Sequence, residues 1–157
     1  MKNHIMLLLC VIVLSGCGAR GGSAPPGSTI TIGSFDSVTN ANTTKQRDSQ
    51  TVQVIIKSGG NGVNNANIDI SFDYTSPPVK TVTNPDGSTT RTFPDPASVV
   101  TLCGGAQILN ATVQAKTDDW GVYYLCIEYD NGGGLAYAGN VKVLSGDQSV
   151  STALTVQ

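Results

Sequence analysis

Few side chains of this sequence are capable of acid–base or nucleophilic chemistry. Its single histidine, His4, lies just before an apolar N-terminal segment, so the rest of the chain has no histidine base and no histidine ligand. The acidic residues fall in turns or, like Asp69 and Asp73, on the polar face of an alternating segment. We therefore expect a protein that is not an enzyme, with no catalytic residues, no metal site and no cofactor.

The N-terminal segment pairs an apolar run with a cysteine. Residues 5–14 are mainly apolar, follow a basic start and lead to Ser15-Gly16-Cys17. This is the order of a secretory signal, and the run is about half the ~20 residues that a membrane-spanning helix needs. The Leu-Ser-Gly-Cys end resembles the lipobox of bacterial lipoproteins. The resemblance implies that a signal peptide, residues 1–16, is removed with Cys10, and that Cys17 carries acyl chains such as palmitate. The alternative is a plain secreted protein with a chance cysteine.

Lipid on Cys17 would hold the chain on a membrane, because several acyl chains together give stable anchoring. Gly18 follows the cysteine where an Asp would imply retention at the inner membrane. In a Gram-negative host the resemblance thus implies a cell-envelope protein of the outer membrane. Residues 17–28 are Gly, Ala, Ser and Pro with one Arg, a composition that predicts a flexible tether.

Composition limits the remaining chain to one small domain. Removal of 16 of the 157 residues leaves 141, and loss of Lys2 leaves eight of nine basic residues beside eleven acidic ones. This mildly acidic balance without a basic patch argues against a nucleic-acid partner. Thr, Ser, Asn, Gly and Val are typical of strands and turns, and no segment has helical periodicity.

Alternating segments separated by turns predict a single all-β domain, an antiparallel sandwich over residues 29–157. In the clearest strand, Asn67–Thr75, Ile68, Ile70 and Phe72 share one face. The other predicted strands are Ile30–Ile32, Thr51–Lys57, Leu109–Ala115, Val122–Tyr129, Ala138–Leu144 and Val150–Val156.

A polar segment interrupts this pattern. Val79–Thr83 and Ser88–Thr92 flank Asn84-Pro85-Asp86-Gly87, in which proline presets φ and glycine accepts a positive φ. The two arms are too polar for a core. They predict an exposed, inserted β-hairpin, closed off by Pro94-Asp95-Pro96, with an irregular loop as the alternative.

Two stretches carry a family resemblance. Val54–Ile70, with its Gly-Asn-Gly turn, and Thr117–Tyr123, with a Thr-Asp-x-x-Gly turn, resemble bacterial Ig-like domains of the invasin and intimin type. The end of the chain, Gly139–Val156, fits their final hairpin. The resemblance implies an Ig-like β-sandwich that acts as an adhesive module or a spacer. Carboxypeptidase regulatory and transthyretin-like domains use similar turns, and the polar hairpin and two cysteines depart from the pattern.

Strand parity places those two cysteines. If Leu125 and Ile127 face the core, Cys126 faces outward, and if Leu102 faces the core, Cys103 faces outward as well. Cysteines of an exported domain usually pair. We therefore predict a Cys103–Cys126 disulfide on an outer sheet face or at an edge. Redox or metal roles lack the C-x-x-C spacing and further ligands that they need.

Candidate contact residues lie in two places. Trp120 is at the apex of a turn, where it either binds a partner or folds back over the core. We place Tyr137 near it, since Tyr137 follows a flexible Gly run. The neighbouring Asp118-Asp119 either stabilises the turn or contributes to a calcium site. On the hairpin, the candidate contact residues are Val79, Thr81, Thr90 and Thr92.

Together these features favour a lipid-anchored, non-enzymatic Ig-like module for binding or adhesion. Its expected partners are the membrane, through lipid on Cys17, and an envelope protein or glycan. The alternative is a structural or accessory subunit of an envelope export or surface-fibre assembly.

Overall fold

The computed structural model describes residues 22–39 and 47–157, which form two antiparallel sheets packed face to face. The elements are β1 Thr29–Ile32, β2 Arg47–Ser58, β3 Asn61–Gly62, β4 Asn67–Thr83, β5 Thr89–Thr92, α1 Pro96–Val99, β6 Val100–Leu102, β7 Val113–Lys116, β8 Val122–Asp130, β9 Leu135–Ser145 and β10 Gln148–Val156. One sheet has the order β1-β2-β8-β6, with β3 beside β2. The other has the order β10-β9-β4-β5, with β7 also beside β4.

This strand order is that of an immunoglobulin fold. When β1, β2, β4, β6, β8, β9 and β10 are lettered A to G in chain order, the sheets become A-B-E-D and G-F-C. The prediction of a single Ig-like antiparallel β-sandwich is therefore confirmed.

The core forms between the sheets because apolar residues recur at every second position. In β4, Ile68, Ile70 and Phe72 are fully buried, while Asp69 and Ser71 between them are partly exposed. The same alternation in the other long strands contributes Val52, Val54, Ile56, Leu125, Ile127, Tyr129, Val141, Val143, Leu154 and Val156.

The predicted strand Leu109–Ala115 is wrong in its first half. Asn110 has a φ of 53°, a left-handed conformation that a strand cannot contain, so β7 begins only at Val113. Leu109 instead forms an isolated bridge with Phe72. A short helix, α1, was not predicted; the Asp95 side chain caps it by accepting a hydrogen bond from the Ala97 amide.

The polar hairpin is confirmed, but it is not an independent insertion. It consists of the far end of β4 paired with β5, from Lys80 opposite Thr92 to Thr83 opposite Thr89. The register of β4 against β9 shifts twice between Tyr74 and Val79. Pro77 and Pro78 lie within these irregular steps, where a strand tolerates a residue without an N–H.

Residues 22–28 do not behave as the predicted tether. The carbonyl of Gly22 accepts a hydrogen bond from the Asn67 amide at 3.0 Å, and the Ala24 amide donates to Ser145 Oγ at 2.9 Å. Ala24 is only 5% exposed, and Ser28 is buried. Residues 22–28 thus belong to the domain, whereas the predicted signal peptide and Cys17 lie outside the described residues. Within 22–39 and 47–157, no helix has the length and apolar character needed to cross a membrane.

Candidate functional site

The two candidate contact regions lie at opposite ends of the sandwich. Strand β8 begins at Val122, just after the Trp120 turn, and ends at Asp130. Eight residue steps of an antiparallel strand span ~27 Å. The β4–β5 hairpin extends from the Asp130 side, because Lys80 pairs with Leu135 at the start of β9. We call the first region the Trp120 end and the second the hairpin end.

At the Trp120 end, one carboxylate holds the turn. Asp118 Oδ1 accepts hydrogen bonds from the backbone amides of Trp120 at 2.9 Å and Val122 at 2.8 Å. Gly121 has a φ of 76°, and a Cβ at this position would lie 2.5 Å from the Ile56 carbonyl oxygen. The turn is therefore fixed against the neighbouring strand, and the Trp120 side chain is 80% exposed. Of the two alternatives for Trp120, the structure has the exposed one.

A buried threonine ties the same turn to the rest of the sandwich. Thr117 is 2% exposed; its Oγ1 donates to the Val63 carbonyl at 2.7 Å and accepts from the Ala66 amide at 2.9 Å. The Thr117 amide also donates to the Ala66 carbonyl at 3.0 Å. These three bonds satisfy backbone groups of the 63–66 loop that a buried loop would otherwise leave unpaired.

Of the acidic pair next to Trp120, Asp118 stabilises the turn in this structure. Asp118 uses its Oδ1 atom for two backbone amides, which is the Asx-turn alternative. In the described part of the chain, no three His, Cys, Asp or Glu side chains are grouped in a way that would hold a metal ion.

At the hairpin end, the structure exposes a sheet edge. All four residues of β5 are exposed, and no described strand pairs with its outer side. Of the predicted contact residues, Thr81, Thr90 and Thr92 are exposed and Val79 is half-buried. The tip is closed by Asn84, whose amide donates to the Ser88 carbonyl, and by Asp86, whose Oδ1 accepts from the Ser88 amide and hydroxyl. These bonds lower the pKa of the Asp86 carboxyl below its ordinary value.

Exposed apolar side chains, which were not predicted, lie beside this polar edge. Val82 is 43% exposed and Phe93 is 73% exposed. Beside them, Lys80, Pro94, Asp130, Gly132 and Leu135 line a cleft of about 240 Å³. The sequence feature that could have predicted an exposed apolar group here is Phe93, which lies between the Thr-rich β5 and Pro94. The hairpin end thus combines a free strand edge, exposed apolar groups and a cleft.

Tyr137 is not a contact residue, and its prediction near Trp120 is wrong. It is 2% exposed and lies at the hairpin end, where its hydroxyl donates to the Asp130 carbonyl at 2.8 Å. A tyrosine near the start of strand F that bonds back across the E–F connection is the tyrosine corner of Ig-like folds. Burial, with Tyr74 and Asp130 nearby, raises the pKa of the Tyr137 hydroxyl far above its ordinary value. Its role is to hold the β8–β9 connection.

The disulfide lies where strand parity placed it. Cys103 and Cys126 are bonded, with a Cα–Cα distance of 5.4 Å, and the Cys103 amide donates to the Cys126 carbonyl at 3.0 Å. Cys103 is exposed and Cys126 half-buried, while Leu125 and Ile127 on either side are fully buried. The bond therefore joins adjacent strands on the outer face of one sheet, not the two sheets across the core.

A second polar feature on that outer face is structural. Arg47 donates to the Ser98 carbonyl at 3.0 Å and to Thr101 Oγ1 at 2.9 Å, and lies 3.8 Å from a carboxylate oxygen of Glu128. The open depression of about 290 Å³ beside it is lined by Arg47, Asp48, Ser49 and Glu128. Since the guanidinium already holds the start of β6, we assign this group to stability.

Comparisons with known proteins give distant likenesses only. No protein-family model and no curated protein matches the sequence. Among solved structures, a PapD-like domain of human CEP192 has 13% identity and a TM-score of 0.47, over 99% of this chain and 96% of that one. The Yersinia pseudotuberculosis adhesin InvE has 18% identity and a TM-score of 0.47, over 85% of this chain and 32% of the adhesin. A conjugative transposon lipoprotein from Bacteroides eggerthii has 11% identity and a TM-score of 0.44, over 80% of this chain and 92% of that one. Likenesses at this level assign neither a family nor a function, and the Ig-like fold rests on the strand order itself.

Proposed function

We propose that this chain is a lipid-anchored, non-enzymatic binding module of the cell envelope, whose hairpin end contacts a partner protein by strand addition. The observation that carries the proposal is the free outer edge of β5, which extends the sheet beyond the sandwich. An exposed edge of this kind accepts a strand from a partner through main-chain hydrogen bonds.

The register of the hairpin identifies the backbone groups that a partner would use. The Asn84 amide bonds the Ser88 carbonyl, so by antiparallel alternation Thr90 and Thr92 also bond toward β4. The amides and carbonyls of Thr89 and Arg91 then point outward. The Thr81 amide, which donates to the Gly134 carbonyl on the other side, has the direction that this alternation requires.

The exposed apolar groups supply the part of a contact that main-chain bonds do not. Phe93 directly follows β5, where an added strand would cover it, and Val82 lies one strand further in, on β4 opposite Thr90. Desolvated aromatic side chains contribute much of the energy at protein interfaces. This arrangement supports a protein partner more strongly than a glycan.

Anchoring at Cys17 is the second part of the proposal. It rests on the Leu-Ser-Gly-Cys end of the apolar N-terminal run and places the domain at a membrane surface of the envelope. Intact mass and fractionation of the purified native protein test this part. We expect acyl chains on Cys17 of the native protein. In Cys17→Ser, we expect that both the acyl chains and the association with the membrane are lost.

The strand-addition part has a backbone-specific test. Arg91→Pro removes an outward N–H without touching a bond to β4, because proline is tolerated on the solvent side of an edge strand. Arg91→Ala removes the same side chain and keeps the N–H. With a photoreactive residue at Thr89 in the native envelope, we expect a defined protein adduct that survives Arg91→Ala and is lost in Arg91→Pro.

Equal adduct yields from the two Arg91 variants would contradict strand addition. A photoreactive residue at Asp73, which is exposed on β4 away from the free edge, is the positional control and should give no adduct. Isolation of the chain only within a stoichiometric assembly would favour the structural-subunit alternative.

A further inference from the structure

The chain enters the sandwich at the Trp120 end. The Gly22 carbonyl is bonded to the Asn67 amide, and Asn67 pairs with Lys116, the last residue of β7. The Trp120 turn follows directly after Lys116. The exposed tryptophan and the point where the N-terminal segment leaves the domain are therefore on the same end of the fold.

The length of the preceding segment limits how far this end can lie from an anchor. Cys17 is five residues before Gly22, and five residues at full extension span at most ~18 Å. Because residues 22–28 are bonded to the domain, they add no reach. A lipid on Cys17 would thus hold the Trp120 end against the membrane surface.

The chemistry of this end suits a lipid headgroup region. Tryptophan is enriched at membrane–water interfaces, since its ring is apolar and its indole N–H is polar. The neighbouring loop, residues 59–66, contains no charged residue. Both signs of charge occur close by, with Lys57 and Lys116 near Asp118 and Asp119. The surface is therefore not built for attraction to anionic lipid.

From this placement we propose that Trp120 inserts into the headgroup region of the membrane that holds Cys17, so that the sandwich stands with its hairpin end pointing away. The inference rests on the proposed lipid anchor and adds to it an orientation and a contact residue. A single tryptophan gives only a weak contact in free solution. A short tether raises its effective concentration at the membrane to the millimolar range, which makes a weak contact populated.

The rigid turn contributes to this role. Asp118 and Gly121 fix the backbone on both sides of Trp120, so little conformational entropy is lost when the side chain inserts. Because Asp118 already accepts hydrogen bonds from the backbone amides of Trp120 and Val122, insertion of the Trp120 side chain leaves neither amide unpaired.

The test uses residues 17–157, which contain every described element, coupled through the Cys17 thiol to a maleimide lipid in phosphatidylcholine vesicles. Within residues 17–157 the disulfide leaves Cys17 as the free thiol, and Trp120 is the sole tryptophan of the sequence. We expect a blue-shifted emission and on the order of twofold quenching by lipid carrying a doxyl group near its headgroup. The effect should persist at high salt, since it does not depend on charge. Emission identical to that of the uncoupled domain would overturn the proposal.

A matched control moves the reporter to the other end of the fold. Trp120→Phe with Phe93→Trp keeps the anchor and places the single tryptophan at a residue that is 73% exposed at the hairpin end. This variant should show no quenching; quenching equal to that of the native chain would overturn the proposed orientation. The maleimide lipid replaces natural acylation, so the quenching result does not depend on whether Cys17 is acylated in the cell. A native Cys17 without acyl chains would overturn the anchoring proposal and leave the quenching result unchanged. If Trp120→Ala abolishes the protein adducts and lipid does not quench Trp120 in the native chain, then Trp120 contacts a protein instead.

Discussion

The two ends of this sandwich are built by different means. At the Trp120 end, side chains hold the backbone: Thr117 and Asp118 together make four hydrogen bonds from their side-chain oxygens, and Gly121 admits a close approach of two loops. At the hairpin end, strand pairing carries β5 beyond the core, and exposed side-chain bonds of Asn84 and Asp86 support it near the tip. The Trp120 end exposes one side chain on a fixed backbone, and the hairpin end exposes the backbone edge of β5. Stability should therefore depend on the first end and partner capture on the second.

The largest effect is expected from a methyl group at Gly121. In Gly121→Ala, the left-handed φ and the overlap of the new Cβ with the Ile56 carbonyl and the Val63 amide should together cost about 3–5 kcal/mol of unfolding free energy. The matched variant is Gly87→Ala at the hairpin tip, where φ is 81° but no atom lies within 4 Å of the new Cβ. It should cost only ~1 kcal/mol. Denaturant unfolding of both variants measures the difference, and equal losses would contradict the comparison.

The next effect separates a buried hydroxyl from an exposed one. Thr117→Val leaves the Val63 carbonyl and the Ala66 amide without their partner, which should cost about 2–4 kcal/mol. Thr90→Val on the hairpin loses only an exposed bond from Asn84, so a change within about 0.5 kcal/mol is expected. Thermal unfolding monitored by circular dichroism distinguishes the two. A hairpin variant as damaging as the Thr117 variant would show that the hairpin is part of the cooperative core.

A smaller effect tests the reassignment of Tyr137. Tyr137→Phe removes the bond to the Asp130 carbonyl and should cost ~1 kcal/mol, while partner adducts at Thr89 should remain unchanged.

The pH dependence of stability gives an independent readout of the same hydroxyl. The pKa of Tyr137 is raised in the folded state, so its contribution is present below the unfolded value near 10 and is lost as pH rises above it. The free energy of unfolding should fall there by ~1.4 kcal/mol per pH unit for each of the two tyrosines whose pKa is raised, Tyr137 and Tyr74, and Tyr137→Phe should remove one of these two contributions. Loss of adducts in this variant would return Tyr137 to the contact surface.

Local alternation made part of this fold predictable. The outward position of Cys126 follows from the burial of Leu125 and Ile127 on the same strand, so parity alone predicted the disulfide's face. The Asp-Pro capping signal before α1 was also local, but its four residues were too short for periodicity to reveal.

The failures came from long-range packing. Tyr137 is buried because it lies on the side of β9 that faces the other sheet, together with Val141 and Val143, and the Gly-rich residues before it do not show this packing. Ala24 is small enough for a tether, yet a bond to Ser145, far along the chain, brings it into the core. The opposite placement of Trp120 and the hairpin follows only from strand order. For that reason the sequence suggested both contact regions but not their separation.

The smallest effect is confined to the hairpin tip. The pKa of Asp86 is lowered in the folded state by its bonds from Ser88, so the ordering that they provide is present above the unfolded pKa and is lost as pH falls through the folded one. The Ser88 amide should therefore lose its protection against exchange only below the ordinary carboxyl pKa of about 4, whereas the Thr117 and Ala66 amides, which bond to a carbonyl and a hydroxyl, keep theirs. Asp86→Asn should remove the acid step at Ser88. An acid step of the same size at the Thr117 and Ala66 amides would mean that the two ends unfold together, and the contrast between the two ends would have to be given up.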